Sequence, residues 1–139
     1  MMPRQRYLLD TNVISEPQKP RPNPQVLAAL RSMKEDTYLS VLTIGELRRG
    51  DAAKRRRHPA MSGRHAAWID SLEAVYGERI LLIDKATATL WGQISADRSR
   101  PVVDTLLAST AIVHGLTLVT RNVRDVSDLP VKLLNPWLR

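Results

Sequence analysis

Apolar residues in this chain fall into five short runs that are separated by longer segments of mixed polarity. The runs are rich in leucine and β-branched residues and do not alternate strictly, which is typical of strands buried on both faces of a sheet. The pattern therefore predicts five interior strands. They are YLL (7–9), YLSVL (38–42), ILLI (80–83), LTLV (116–119) and VKLL (131–134).

The segments between these runs have the composition and the end signals of helices. Asn23 followed by Pro24 is a typical N-cap and first-turn pair, and Gly77 and Gly115 are typical stop residues. Strands that alternate with helices indicate an α/β fold with a mostly parallel sheet. The helices are expected over residues 24–34, 43–57, 66–77, 85–100 and 102–115.

Length and charge narrow the class of protein. A chain of 139 residues has the usual size of one domain, so we expect residues 1–139 to form a single domain. Lys and Arg number 21 against 14 Asp and Glu, and the net charge of +7 suggests a polyanionic partner such as nucleic acid. The chain has no cysteine, and its amino-terminal apolar run is too short for a signal peptide or a membrane span. We expect a cytoplasmic protein without a membrane partner.

Polar residues at the ends of several predicted strands are candidates for a functional site, because ligands of parallel α/β sheets bind beyond the carboxyl ends of the strands. Two Asp residues directly follow strands, and the others lie near the start of the next helix or just beyond LTLVTR. These residues are Asp10, Glu46, Asp84, Asp104, Asn122 and Asp125.

Some of these residues also have ordinary structural explanations. Thr43 and Glu46 have the T-x-x-E spacing of a capping box, and Asp84 before KATATL is a typical N-cap. Asp104 would be stabilised by the helix dipole, so a structural role and a site role both remain open. Asp10 differs from these, because LLDTN places three polar side chains together at the end of the first strand, and a functional role is favoured there.

Carboxylates that converge from several strands repel one another, and the arrangement persists only when cations or protons offset the charge. Oxygen ligands without His or Cys suit hard ions such as Mg²⁺ or Mn²⁺. On a basic protein, this indicates phosphodiester chemistry. An ion held by Asp10 and Asp104 would polarise a phosphoryl oxygen, and Glu46 would position or deprotonate a water molecule.

A basic run lies in the middle of the chain. Such a run is usually the solvated face of a helix, and contact with RNA is an equally open interpretation. The candidate nucleic-acid-binding residues are Arg48, Arg49, Lys54, Arg55, Arg56, Arg57 and Arg121.

Four segments in order resemble the motifs of PIN-domain ribonucleases, particularly the VapC toxins of bacterial toxin–antitoxin pairs. They are LLDTNVISEP, LTIGELRRG, VVDTLLASTAIVHGLTLVTRNVRDV and LLNPW, which together extend over almost the whole chain. The resemblance implies a three-layer α/β/α fold and a metal-dependent endoribonuclease activity. It also implies a homodimer, a VapB-like antitoxin partner and a higher toxin–antitoxin assembly.

The same resemblance assigns roles to particular residues. It implies that Asp10, Glu46 and Asp104 form an acidic pocket for Mg²⁺ or Mn²⁺. Family members commonly carry Asp or Asn directly after the T-R pair, which places Asn122 in the catalytic set. The neutral side chain of Asn122 lowers the charge of the pocket, and Asp125 is the candidate that supplies a further carboxylate ligand.

Three other classes of protein are alternatives. A haloacid-dehalogenase phosphatase begins with D-x-D-x-T/V, but here Asn12 replaces the second Asp. A response-regulator receiver needs an acidic pair after its first strand and a Lys after its last strand, whereas this chain has Asp10 alone and then NPW. The non-enzyme alternative is a nucleic-acid-binding module with a structural acidic cluster, and metal-dependent cleavage would distinguish it from the nuclease.

Overall fold

The fold was determined from a computed structural model that describes residues 4–138. Within these residues, five strands form one sheet in the order β3-β2-β1-β4-β5, and every strand pairing is parallel. This confirms the expected α/β sheet. The strands are β1 (Tyr7–Leu9), β2 (Thr37–Ser40), β3 (Ile80–Leu81), β4 (Thr117–Val119) and β5 (Leu133–Leu134).

Helices connect the strands, and short 3-10 turns lie at several of the junctions. In the part of the chain that the structure describes, no helix is long and apolar enough to cross a membrane. The helices are α1 (Thr11–Ile14), α2 (Pro24–Met33), α3 (Val41–Arg57), α4 (Arg64–Tyr76), α5 (Lys85–Ile94) and α6 (Val102–His114). The 3-10 turns are Glu16–Gln18, Lys34–Asp36, Gly77–Arg79 and Val123–Asp125.

Most of the predicted helix ends are confirmed. The Asn23 side chain accepts hydrogen bonds from the first-turn amides of α2, and the Asp84 side chain accepts one from the amide of Thr87 at 2.8 Å. Gly77 and Gly115 follow α4 and α6 with φ values of 50° and 67°, a region of backbone conformation that favours glycine. The local signals at these positions were therefore sufficient to locate the ends.

The predicted capping box of Thr43 and Glu46 is wrong. Strand β2 ends at Ser40, whose hydroxyl caps α3 by accepting a hydrogen bond from the amide of Leu42 at 3.0 Å. Thr43 is fully buried inside the first turn of the helix. The error arose because the apolar residues at 41 and 42 continue the hydrophobic run of the strand, although they already belong to the helix.

The helix expected over residues 85–100 is also shorter than predicted. It ends at Ile94, and the following segment is held by ion pairs instead of helical hydrogen bonds. The Arg100 guanidinium lies 3.1 Å from a carboxylate oxygen of Asp97 and 2.9 Å from one of Asp128. The contact with Asp128, 28 positions away, was not apparent from the local sequence.

Helices cover both faces of the sheet, which confirms the three-layer arrangement. On one face, Leu9, Leu39 and Val119 are buried against residues of α1 to α4. On the other face, Leu8 and Leu118 are buried against α6, and α5 packs on α6. Neighbouring residues of β1 point into opposite cores, as expected for a strand buried on both sides.

The central strand determines where a site can form. Strand β1 pairs with β2 on one side and with β4 on the other. The chain runs from β1 outwards to β2 and β3 and then crosses to β4 and β5, so the strand order reverses between β1 and β4. A crevice forms at the carboxyl ends of strands around such a switch point. Asp10 directly follows β1, and its amide donates a 2.9 Å hydrogen bond to the carbonyl of Val119 at the end of β4.

Candidate active site

Asp10 lies at the centre of this crevice and is only 5% exposed. It is the N-cap residue of α1, and its Oδ1 accepts a 2.7 Å hydrogen bond from the amide of Thr11. Its Oδ2 accepts a second 2.7 Å bond from the hydroxyl of Thr120. Burial raises the pKa of Asp10 above its ordinary value, while the two hydrogen bonds act in the opposite direction.

The hydroxyl of Thr120 connects two parts of the site. It donates to Asp10 and also accepts a 2.9 Å hydrogen bond from the amide of Asn122. The bonds orient the Asp10 carboxylate and place exposed Asn122 beside it at the end of β4. Thr120 was not among the predicted site residues, although a polar residue directly after the LTLV strand was the available signal.

Glu46 reaches the crevice from α3. Its Oε1 accepts a 2.5 Å hydrogen bond from the hydroxyl of Thr11. Thr11 therefore contacts both carboxylates, because its amide bonds to Asp10 and its hydroxyl bonds to Glu46. This role of Thr11 was not predicted, although Thr11 belongs to the LLDTN segment that indicated the site.

Asp104 lies in the first turn of α6 and is partly buried. Burial is the largest cause that raises the pKa of Asp104, to about 6. The negative charges of Asp10, Asp125 and Glu46 and a side-chain hydrogen bond with Asp125 contribute to the same rise. The structure therefore brings four predicted acidic residues into electrostatic contact around one pocket.

The charge of this acidic pocket (Asp10, Glu46, Asp104 and Asp125) is not neutralised by basic side chains. Within residues 4–138, none of the four carboxylates forms an ion pair with Lys, Arg or His. Oxygen donors with uncompensated charge fit a hard divalent cation. In the same residues, however, no three His, Asp or Glu side chains stand at metal-ligating spacing. The donor chemistry therefore fits an ion, and the carboxylates would have to move closer together to enclose one.

The predicted RNA-contacting residues have different surroundings. Arg48 donates to Asp70 at 2.6 Å and to Glu73 at 3.0 Å, which joins α3 to α4. Arg55 donates to buried Asp51 at 2.9 Å. Both guanidinium groups therefore have carboxylate partners within the protein.

The other predicted basic residues are more accessible. Arg49, Arg56 and Arg57 line an open cavity of about 470 Å³ on α3. Arg121 directly follows Thr120, and its guanidinium lies 4.9 Å from the centre of the Trp137 ring, a cation–π contact. Lys54 lies on another side of α3 and lines a different cavity.

A further group of arginines lies next to the acidic pocket and was not predicted. Arg98, Arg100, Arg124 and Asp125 line a cavity of about 240 Å³. Arg100 has a side chain that is only 4% exposed and is paired with Asp97 and Asp128. The arginines are distributed between two segments that are distant in sequence, so no local pattern indicated that they share a cavity.

Comparison with known proteins gives the same fold and class. Residues 7–130 match the PIN domain family, so the chain belongs to this family. It is 36% identical to Toxin FitB of Neisseria gonorrhoeae over an aligned length of 141, covering 94% of this chain and 97% of that protein. It is 34% identical to VapC ribonuclease Y4jK of Sinorhizobium fredii, covering 94% of this chain and 96% of that protein.

A solved structure shows the same arrangement of elements. The crystal structure of FitAcB from Neisseria gonorrhoeae matches with a TM-score of 0.81 and 35% identity, covering 96% of this chain and 99% of that chain. The resemblance to PIN-domain proteins of the toxin type is therefore confirmed, as is the fold that it implied.

Proposed function

We propose that this protein is a metal-dependent endoribonuclease that hydrolyses RNA phosphodiester bonds and acts as the toxin of a toxin–antitoxin pair. The observation that carries the proposal is the acidic pocket, which brings four carboxylates together. Within the described residues these carboxylates have no basic partners, although the chain has a net charge of +7. Membership of the PIN domain family and relatives named as a toxin and a ribonuclease support it.

Asp10 and Asp104 are the residues that would hold Mg²⁺ or Mn²⁺, with Glu46 and Asp125 as further oxygen ligands. The bound ion would stabilise negative charge on the phosphoryl group and make water a stronger nucleophile. Thr120 fixes the orientation of Asp10 through its 2.7 Å hydrogen bond. The Asp10 carboxylate is therefore already oriented and would lose little rotational freedom on binding the ion.

Glu46 is the proposed general base. The hydroxyl of Thr11 occupies its Oε1, so its other oxygen is available to accept a proton from the attacking water. Asn122 places a neutral amide at the edge of the pocket, where it contacts the substrate without adding negative charge. Proton removal and substrate positioning are therefore carried out by different side chains.

The basic residues bring RNA to a pocket that would otherwise repel it. Arg121, Arg49, Arg56 and Arg57 are accessible for phosphate contact, and Lys54 extends the surface. Arg48 and Arg55 would have to exchange their internal carboxylate partners for phosphate. As the toxin of a pair, the protein would form a homodimer and bind a VapB-like antitoxin in a higher assembly.

The proposed activity is tested with purified, antitoxin-free protein and total RNA, incubated with Mg²⁺, with Mn²⁺ or with a chelator. We expect cut RNA ends only in the presence of metal. Asp10→Asn protein purified in parallel controls for contaminating nucleases. RNA binding without cleavage under any metal condition would favour the nucleic-acid-binding module over the nuclease.

A further inference from the structure

A cleft of about 520 Å³ lies beside the acidic pocket, between the end of α1 and the facing ends of α3 and α4. Among the residues that the structure describes, its polar lining consists of cationic and neutral side chains and includes no Asp or Glu. We name it the basic cleft and define it by six of its lining residues. These are Ser15, Gln18, Lys19, Lys54, Arg64 and His65.

Two cations in the basic cleft have no partner of opposite charge. Within residues 4–138, neither Lys54 nor Arg64 forms an ion pair, and both are exposed. Lys19 does form an ion pair, with Glu16 at 2.8 Å, but its side chain remains 54% exposed. Positive charges that share a cavity without carboxylates favour an anionic ligand.

The buried carboxylate of Asp51, next to His65 of the cleft, is already engaged. Asp51 accepts from Arg55 at 2.9 Å, and its other oxygen lies 3.2 Å from Nδ1 of His65. The Arg55 contact is the largest cause that lowers the pKa of Asp51. Asp51 therefore holds α3 and α4 together and is not available to neutralise Lys54 or Arg64.

The basic cleft and the acidic pocket are bounded by the same two helices. Helix α1 begins beside Asp10 and is followed by Ser15, while α3 carries both Glu46 and Lys54. Eight residues separate Glu46 from Lys54, which corresponds to about 12 Å along an α-helix. A single-stranded RNA that crosses the acidic pocket can therefore reach the basic cleft with its next few nucleotides.

We infer that the basic cleft binds a backbone phosphate of the RNA strand whose scissile bond lies in the acidic pocket. This inference rests on the proposed nuclease function. Lys54 and Arg64 donate to the phosphate oxygens, and Lys19 adds positive charge at the rim. The other accessible cations of α3, Arg49, Arg56 and Arg57, line a separate cavity, so the basic run is divided between two surfaces.

The test measures RNA affinity without cleavage. Binding of a fluorescein-labelled single-stranded RNA of about 16 nucleotides is measured in a chelator at several salt concentrations. The Lys54→Gln/Arg64→Gln double variant should lower the magnitude of the slope of log K against log[salt] by about 0.7 units, the value for one lost phosphate contact to a single strand. In cleavage assays, the same variant should raise KM far more than it changes kcat.

The matched control is Arg31→Gln/Lys85→Gln, which removes the same charge from exposed positions that line neither the basic cleft nor the acidic pocket. This control should keep the wild-type slope. Equal slopes for the two double variants would overturn the inference, and wild-type cleavage in Mn²⁺ would show that the proposed function still stands. The inference would also be overturned if the Lys54→Gln/Arg64→Gln variant lost affinity for an acidic peptide but bound RNA as the wild type does. A wild type that neither binds nor cleaves RNA would reject both the inference and the proposed function.

Discussion

The acidic pocket and the basic part of α3 are both concentrations of charge, but they are held in different ways. The pocket collects side chains from four separate segments, and the hydroxyls of Thr11 and Thr120 fix two of them. The basic run comes from one helix, and its side chains point to α4, to an open cavity and to the basic cleft. Neutral donors orient Asp10 and Glu46 in the pocket, whereas neighbouring cations on a helix point in different directions around its axis.

The largest expected difference between the two regions concerns Asp10. Asp10→Asn removes the negative charge of a metal ligand from the pocket. Because a bound metal supplies several kcal/mol of charge stabilisation in the transition state, we expect metal-dependent cleavage to fall by about 1,000-fold or more. The matched control is Asp84→Asn, because Asp84 also follows a strand but serves as an N-cap, a role that Asn retains. Cleavage of RNA by both purified variants at the wild-type rate would show that the pocket is not the active site.

Glu46 separates catalysis from structure within the pocket. The amide oxygen of Gln still accepts the Thr11 hydrogen bond but is a far weaker base, so Glu46→Gln should keep the thermal midpoint and reduce cleavage by about 100- to 10,000-fold. Glu78→Gln is the control, because Glu78 is exposed and precedes β3, whereas the pocket lies beyond the carboxyl ends of the strands. Unchanged kcat in Glu46→Gln would remove Glu46 from the catalytic set.

Thr11 tests whether hydroxyl positioning matters. Thr11→Val preserves the shape of the side chain but removes the donor to Glu46, and we expect activity to fall by about tenfold, a typical loss for a supporting contact of a site. Thr11→Ser restores the hydroxyl and should recover most of the activity. Equal rates for the Val and Ser variants would show that the 2.5 Å contact does not contribute to catalysis.

The smallest effect is on stability. The pKa of Asp104 is about 6 in the folded protein and has an ordinary value of 3.8, so its protonation stabilises the fold below about pH 4 and this contribution is lost as the pH rises through 6. Asp104→Asn in a chelator should therefore raise the free energy of unfolding at pH 8 by on the order of 1 kcal/mol, because solvent screens this partly exposed group.

At pH 4, the same substitution should have little effect, because the carboxyl is already neutral in the folded protein. Urea unfolding at the two pH values measures the difference. An equal gain at pH 4 and pH 8 would mean that the burial of the Asp104 charge and its repulsion by Asp10, Asp125 and Glu46 do not control the stability of this region.

Some parts of the fold were determined by the local sequence. The apolar runs predicted the strands, and Asn23, Gly77 and Gly115 predicted helix ends that the structure confirms. These signals are local, because a strand buried on both faces must be apolar and a cap requires a particular side chain or backbone conformation. The order of the motifs was also sufficient to indicate the PIN domain family.

Tertiary structure decided how the candidate residues meet. The sequence placed Asp10, Glu46 and Asp104 near the ends of elements, but only the parallel order of the strands brings them together around one crevice. The hydrogen bonds of Thr11 and Thr120, which link residues 35 and 110 positions apart, had no local signature. The division of the basic run between two surfaces was equally hidden, because it depends on which neighbouring elements pack on each side of α3. Local patterns fix backbone conformation, while the positions of functional side chains depend on long-range packing.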